Sequence, residues 1–423
     1  MKKIAILYLL LFTLFETISH AQKIDTATQI FDSSFATLKV QKANNFYAPP
    51  IINLNNGEQI IISFDELADD VRYMQYHLIH CNSDWQPSQL VDSEFIDGFN
   101  IANIEDYAFS SNTFIHYVNY RIVIPNEDIQ PTISGNYLLQ VFPENEPENI
   151  ILQARFSIEE SQIAIKANVT TQTDKGFNDS LQQLEFSLNT KLYKIDNPYA
   201  DIITTIEQNG RTDNAVTITR PLRVAGSEIF YEHIPELIFP AGNEFRRFET
   251  VRANYPGMGI DSTRYINDRY HAFMRINEER ASSEYIFDQT QYGRYIIDEY
   301  NSTDPDLGAD YIDTHFYLDF PEVMNADIYV DGEFTHHQYT EANRMIYNPY
   351  TNLYELTMPL KQGSYNYQFL ALPHNGHIGE TSLIEGNHYE TVNEYVIKVF
   401  HRSPISRADK LIGYYVIYSE NKF

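Results

Sequence analysis

The chain carries one cysteine and one tryptophan in 423 residues. A single thiol forms no internal disulfide, so the fold has to rest on core burial. Basic residues are scarce too, 30 Lys and Arg against 58 Asp and Glu, leaving a formal net charge of -28. A surface of that sign repels nucleic acid and anionic lipid, and neither is expected as a partner. Past the N-terminus no apolar run reaches the roughly 18 residues that would mark a spanning helix. A glycine-rich phosphate loop, a Gly-x-Ser-x-Gly elbow and a His-Glu-x-x-His pair are all missing. The sequence therefore gives no reason to expect a catalytic residue or a cofactor, and the protein reads as a non-enzyme.

The N-terminus is the exception to the shortage of apolar runs. Met1-Lys2-Lys3 precede an apolar stretch from Ile4 to Phe15, and Ser19-His20-Ala21 stand before Gln22. This is the pattern of a secretory signal peptide over residues 1–21 with a small-x-small cleavage site. No cysteine lies at the cleavage point, so a direct lipid anchor is not expected. The mature chain is expected to be soluble in an exported compartment.

Aromatic residues make up 14% of the chain, carried by 32 Tyr and 26 Phe. Tyrosine at that density suits sheets with one packed and one half-wet face. Period-two alternation recurs, most clearly in Ser364-Tyr365-Asn366-Tyr367-Gln368-Phe369, polar on one face and aromatic on the other. Turn pairs such as Asn209-Gly210 and Ser134-Gly135-Asn136 separate the runs. Short strands punctuated in this way predict an all-β protein of tandem immunoglobulin-like β-sandwich domains. The expected division is a lead segment over 22–45, a first sandwich over 46–159, a second over 160–305 and a third over 306–423. The third segment, through Ile328–Phe334, Tyr354–Leu356 and Leu360–Phe369, resembles early-set immunoglobulin-like domains, which include starch- and glycogen-binding modules.

Three clusters invite a metal. His77, His80 and Cys81 are possible zinc ligands, but residues three apart on a strand face opposite sides, and a closed site needs four converging ligands. Asp65-Glu66 with Asp69-Asp70 lacks the alternating oxygens and glycine turn of a calcium loop, and reads as a solvated turn after a strand. His374-Asn375-Gly376-His377 with Glu380 centres on Asn-Gly and reads as a hairpin turn. No metal site is expected. Trp85, beside Cys81 in the turn His80–Ser88, is expected to fold back over apolar surface.

Six peptides in order resemble the Bacteroidetes type IX secretion system plug protein family: Pro50–Leu54, His80–Ser88, Ser134–Tyr137, Gln208–Arg211, Ala241–Arg246 and Leu360–Gly363. Thr212 departs from the aromatic that the family favours after the arginine. The resemblance implies a periplasmic, all-β protein that binds the periplasmic opening of the outer-membrane translocon barrel, SprA, and closes it between export events. It would act as a monomer within that complex, held at the outer membrane through its partner. A periplasmic or surface glycan-binding protein acting through the third segment is the alternative.

Overall fold

The computed structural model describes residues 25–419, so the expected signal peptide lies outside the described residues. Regular structure is nearly all β. Among the described residues helix is confined to single turns such as Asp92–Phe95 and Pro305–Gly308. Among the described residues no helix is long and apolar enough to cross a membrane.

In the first sandwich, Met74–Cys81 buries Met74, Tyr76, Leu78 and His80 while Gln75, His77 and Ile79 are half-buried, the period-two pattern of a sheet packed on one face. It pairs antiparallel with Gly135–Pro143, which pairs in turn with Leu152–Glu159. Against this sheet lie Phe35–Lys42, Ile60–Glu66, Val118–Ile124 and the edge strand Asp106–Phe109. One core containing Phe64, Tyr120, Tyr137 and Phe156 fills the space between them. The lead segment is thus structured: Gln29–Ile30 and Phe35–Lys42 both belong to these sheets. A bulge between Ala36 and Lys39, with Thr37 at φ 52°, breaks the alternation of the second strand and hides it in the sequence.

The other two sandwiches are nested, and their sheets cross the expected division near residue 305. Glu394–His401 and Lys410–Tyr418, the last strands among the described residues, extend the sheet of Ile202–Gln208 and Arg211–Ile218. They close the second sandwich, whose core joins Phe186 and Tyr231 to Tyr395 and Ile397. The third sandwich already begins at Arg246–Glu249, which pairs with Gly363–Pro373. Ile260–Ile266 and Arg269–Met274 join Tyr311–Asp319 and Leu353–Lys361 in its opposite sheet. Local alternation marks a strand but says nothing about its partner when that partner is far away in sequence. Asn209-Gly210 forms the expected hairpin, both residues at positive φ. Gly135 is no turn tip but the start of a strand: at φ 149°, a Cβ there would lie 2.4 Å from His80 Nε2 and 3.1 Å from the Asp409 carbonyl oxygen.

Polar joints bind the sandwiches. Between the first and third, Asp65 Oδ2 accepts from Lys361 Nζ at 2.7 Å and from Tyr311 OH at 2.6 Å, while Oδ1 accepts from Asn119 Nδ2 at 2.7 Å. Lys361 also donates to the Asp306 carbonyl at 2.7 Å and sits 4.0 Å over the ring of Tyr117. Burial pulls the Lys361 ammonium down from its ordinary range, and Asp65 offsets part of that effect. Between the first and second, Asp409 accepts from Ser83 N at 2.8 Å, and Ile51 packs with Val396, Phe400 and Leu411. Between the second and third, Arg294 pairs with Glu394 at 2.6 Å, and Asp213 accepts from Tyr339 OH at 2.6 Å and Gly379 N at 2.9 Å.

Removing one partner of a fully buried ion pair leaves an uncompensated charge and costs about 3–5 kcal/mol. Lys361→Met is therefore expected to lower the urea unfolding free energy by that amount, and Asp65→Asn added to it should recover part of the loss. A loss below about 1 kcal/mol, the range of exposed pairs, would show that this joint does not bear on stability.

Candidate functional site: the three-way junction

The three sandwiches enclose a cavity of about 170 Å³ lined by residues from each of them. Trp85 stands at its wall. The turn that presents it is closed by Trp85 N donating to the Asn82 carbonyl at 2.9 Å and Asn82 N to the Gln86 carbonyl at 2.8 Å, with Trp85 at φ 62°. The half-buried indole also meets charge, which the sequence did not suggest. The guanidinium of Arg155 lies 4.4 Å from its ring centre and the ammonium of Lys398 lies 5.5 Å away. The ring's electron-rich face is what this position uses, holding a cation of the first sandwich and one of the second.

Each cation has a further anchor. Arg155, projecting from Leu152–Glu159, donates to the Thr26 carbonyl at 2.6 Å and to Thr26 Oγ1 at 2.8 Å, which ties down the start of the described chain. Burial pulls its guanidinium to about 10, still charged at neutral pH. Lys398 pairs with Glu207 at 2.5 Å. Arg294 and Glu394 close the side toward the third sandwich, where burial holds His336 at about 4 and hence neutral. The lining sets the apolar side chains of Leu38, Val40, Ile51, Phe156 and Val396 beside these charged groups, and contains no nucleophile hydrogen-bonded to a base. Chemically it is a lock between bodies.

The metal candidates are dispersed. His77 bonds Gln140 Oε1 at 3.0 Å, while His80, on the opposite face, bonds the Ser134 carbonyl at 3.1 Å and meets the Tyr137 ring edge-on at 5.1 Å. Cys81 is fully buried, its sulfur 3.8 Å from the Ile79 carbonyl oxygen. Asp65 and Glu66 are not in the solvated turn expected for them: both end a strand and are buried, Glu66 bound by Arg72 Nε at 2.8 Å and Tyr120 OH at 3.0 Å. Only Asp69 and Asp70 of that cluster are exposed, Asp69 beside His116 at 2.8 Å. His374, His377 and Glu380 are all exposed, with His374 3.6 Å from Asp327. Among the described residues no group of three or more His, Cys, Asp or Glu is placed to hold a metal.

In the third segment Tyr365 and Tyr367 point into the core as expected. The polar face of that strand is covered too: Asn366 accepts from Gln291 N at 2.6 Å and Gln368 donates to Asp331 at 2.9 Å. Another buried centre, Glu385 held by Arg246 and Arg280 at 3.0 and 2.6 Å, has no signature in the sequence, since its members come from three distant stretches.

Several of the peptides that carried the family resemblance reach these joints: Ile51 and Trp85 face the second sandwich, Asn209 and Gly210 line the cavity, and Lys361 reaches Asp65, while Arg246 binds Glu385 inside the third sandwich. The architecture is that of a body of interlocked β-sandwiches. The sequence profile of the type 9 secretion system plug protein first domain matches residues 35–160, the span of the first sandwich. The crystal structure of a hypothetical protein from Parabacteroides merdae is 38% identical, covering 94% of this chain and 100% of its own with a TM-score of 0.92. The chain belongs to the type 9 secretion system plug protein family. Red sea bream transglutaminase, at 9% identity and a TM-score of 0.19 over 51% of this chain and 28% of its own, is too remote to carry an argument. No curated protein matches.

Two measurements follow from the buried groups. Burial raises the Glu385 carboxyl, but Arg246 and Arg280 outweigh it and hold it at about 2, against 4.5 when free. A depressed carboxyl stabilises the fold above its unfolded value and loses that contribution as pH falls through the folded one. At 1.36 kcal/mol per unit this amounts to on the order of 3 kcal/mol lost between about pH 4.5 and 2. Acid titration of stability should show it, with the slope in that window shallower in Glu385→Gln. Burial also pushes the Cys81 thiol up to about 12, so a disulfide reagent at about pH 8, near the ordinary thiol value, should label the protein only after unfolding.

Proposed function

We propose that the protein is a periplasmic plug that binds the periplasmic opening of the type IX secretion translocon, SprA, and closes its pore when no cargo is passing. The observation that carries this reading is the match of residues 35–160 to the plug family's first domain. The physical character of the chain supports it. A stopper for a wide pore has to be bulky and has to keep its shape under contact. Three sandwiches joined pairwise by buried ion pairs and hydrogen bonds meet that need without a disulfide or a metal. The reading includes no enzymatic step. It places the protein in the periplasm, as a single copy against the outer membrane, without a lipid anchor of its own. A net charge of -28 favours a basic or mixed-charge rim on the partner, acting through steering more than through affinity.

Deleting the gene should make the outer membrane permeable to large antibiotics that it normally excludes while cargo secretion continues, and deleting the translocon as well should remove the leak. A tagged copy should recover the translocon from detergent-solubilised outer membranes. Unchanged permeability together with failed recovery would sink the plug reading. Loss of secretion without a leak would point to an assembly factor.

A further inference from the structure

A second concavity, about 530 Å³, lies on the outside of the joint between the first and third sandwiches. Its volume falls within the ≈ 300–1,000 Å³ of small-molecule sites, unlike that of the central cavity. Two of its rings are exposed: Phe114 of the first sandwich at 56% and Tyr300 of the third at 63%. Phe114 leans on Tyr270 at 5.4 Å, edge to face, and on Tyr265 at 5.3 Å, so the side of the rim formed by the first sandwich's loop is backed by aromatic rings. Arg252 covers one side of Tyr300 at 3.4 Å.

The polar groups divide sharply. The carboxylates are already occupied: Asp310 accepts from Phe114 N, Ile115 N and Tyr311 N at 2.7, 3.0 and 2.9 Å, and Glu299 accepts from Asn301 N at 2.7 Å. The side chains of Asn112 and Asn254 are exposed and make no hydrogen bond to the protein, and the exposed Arg252 guanidinium has no carboxylate partner, among the described residues. With its carboxylates satisfied, the site is poor for a cation; one guanidinium is too little for a phosphate. Ser111–Phe114, Arg252–Asn254 and Glu299–Ser302 are loops, so they offer no free strand edge on which an extended peptide could pair. What remains is aromatic rings beside uncommitted neutral amides. That combination suits a ring with one apolar face and equatorial hydroxyls, and a neutral ligand also suits an acidic protein.

We infer that this groove is a binding site for a short neutral oligosaccharide, with Phe114 and Tyr300 as stacking platforms and Asn112, Asn254 and Arg252 as hydroxyl partners. The inference goes beyond pore closure and does not depend on it. It also differs from a sugar site on the third sandwich alone, because Phe114 comes from the first.

Isothermal titration of the intact mature chain with cellotriose, maltotriose and triacetylchitotriose tests it. At least one of these probes should bind with a Kd of about 1 mM or tighter, which is at the weak end of the affinity scale. Phe114→Ala and Tyr300→Ala should each weaken it about five- to tenfold, as expected for loss of an aromatic contact, with melting temperatures unchanged because both rings are exposed. Asn254→Ala should weaken it less, and Tyr350→Ala, 95% exposed and outside the groove, should have no effect. Absence of binding by all three probes, or binding unaffected by the Phe114 and Tyr300 variants, would overturn the inference. So would variants that lose translocon recovery while no sugar binds, since the groove would then belong to a protein partner.

Discussion

The pair formed by Asp65 and Lys361 is the contact on which the arrangement of this protein turns. Both side chains are at most 1% exposed and come from different sandwiches. Two charges taken out of water at a joint between bodies are costly unless every lone pair and proton finds a partner. Here Asn119, Tyr311, the Asp306 carbonyl and the Tyr117 ring provide those partners. Such a set is complete in one relative placement of the two sandwiches. A small slide would leave a buried charge exposed to nothing, which an apolar joint would tolerate far better.

Nesting adds a covalent constraint to that polar one. The third sandwich is inserted between Ile238–Pro240 and Glu394–His401, strands that both belong to the second, so it is tethered to the second at both ends. The first is held to the second by Asp409 and the apolar contact of Ile51, and to the third by the Asp65 network. Three bodies with three joints form a closed set, and loosening any one is resisted by the other two. This mechanical property needs no reactive group.

The same logic explains the rare residues. Trp85 is not spent on filling a core. It lies at the junction, where a large ring with a negative face can receive cations from two bodies. Cys81, next to it in sequence terms, is a buried small side chain whose thiol stays protonated. Tyrosines take a corresponding part: Tyr117 and Tyr311 each bury an apolar ring and deliver a hydroxyl to a partner in another sandwich.

What the sequence by itself determined is local. Alternation placed Ser364–Phe369 in a strand, Asn209-Gly210 in a turn, and His77 and His80 on opposite faces, because side-chain direction in a strand depends only on the residue's position along it. The ordered peptides identified the family without revealing why those peptides matter. Only the tertiary structure decided which strands pair, that the last two described strands return to the second sandwich, and that Asp65 and Glu66 are buried instead of solvated. Those outcomes depend on contacts between distant segments, and a carboxylate at the end of a strand reads the same in sequence whether water or a lysine from another sandwich lies beyond it.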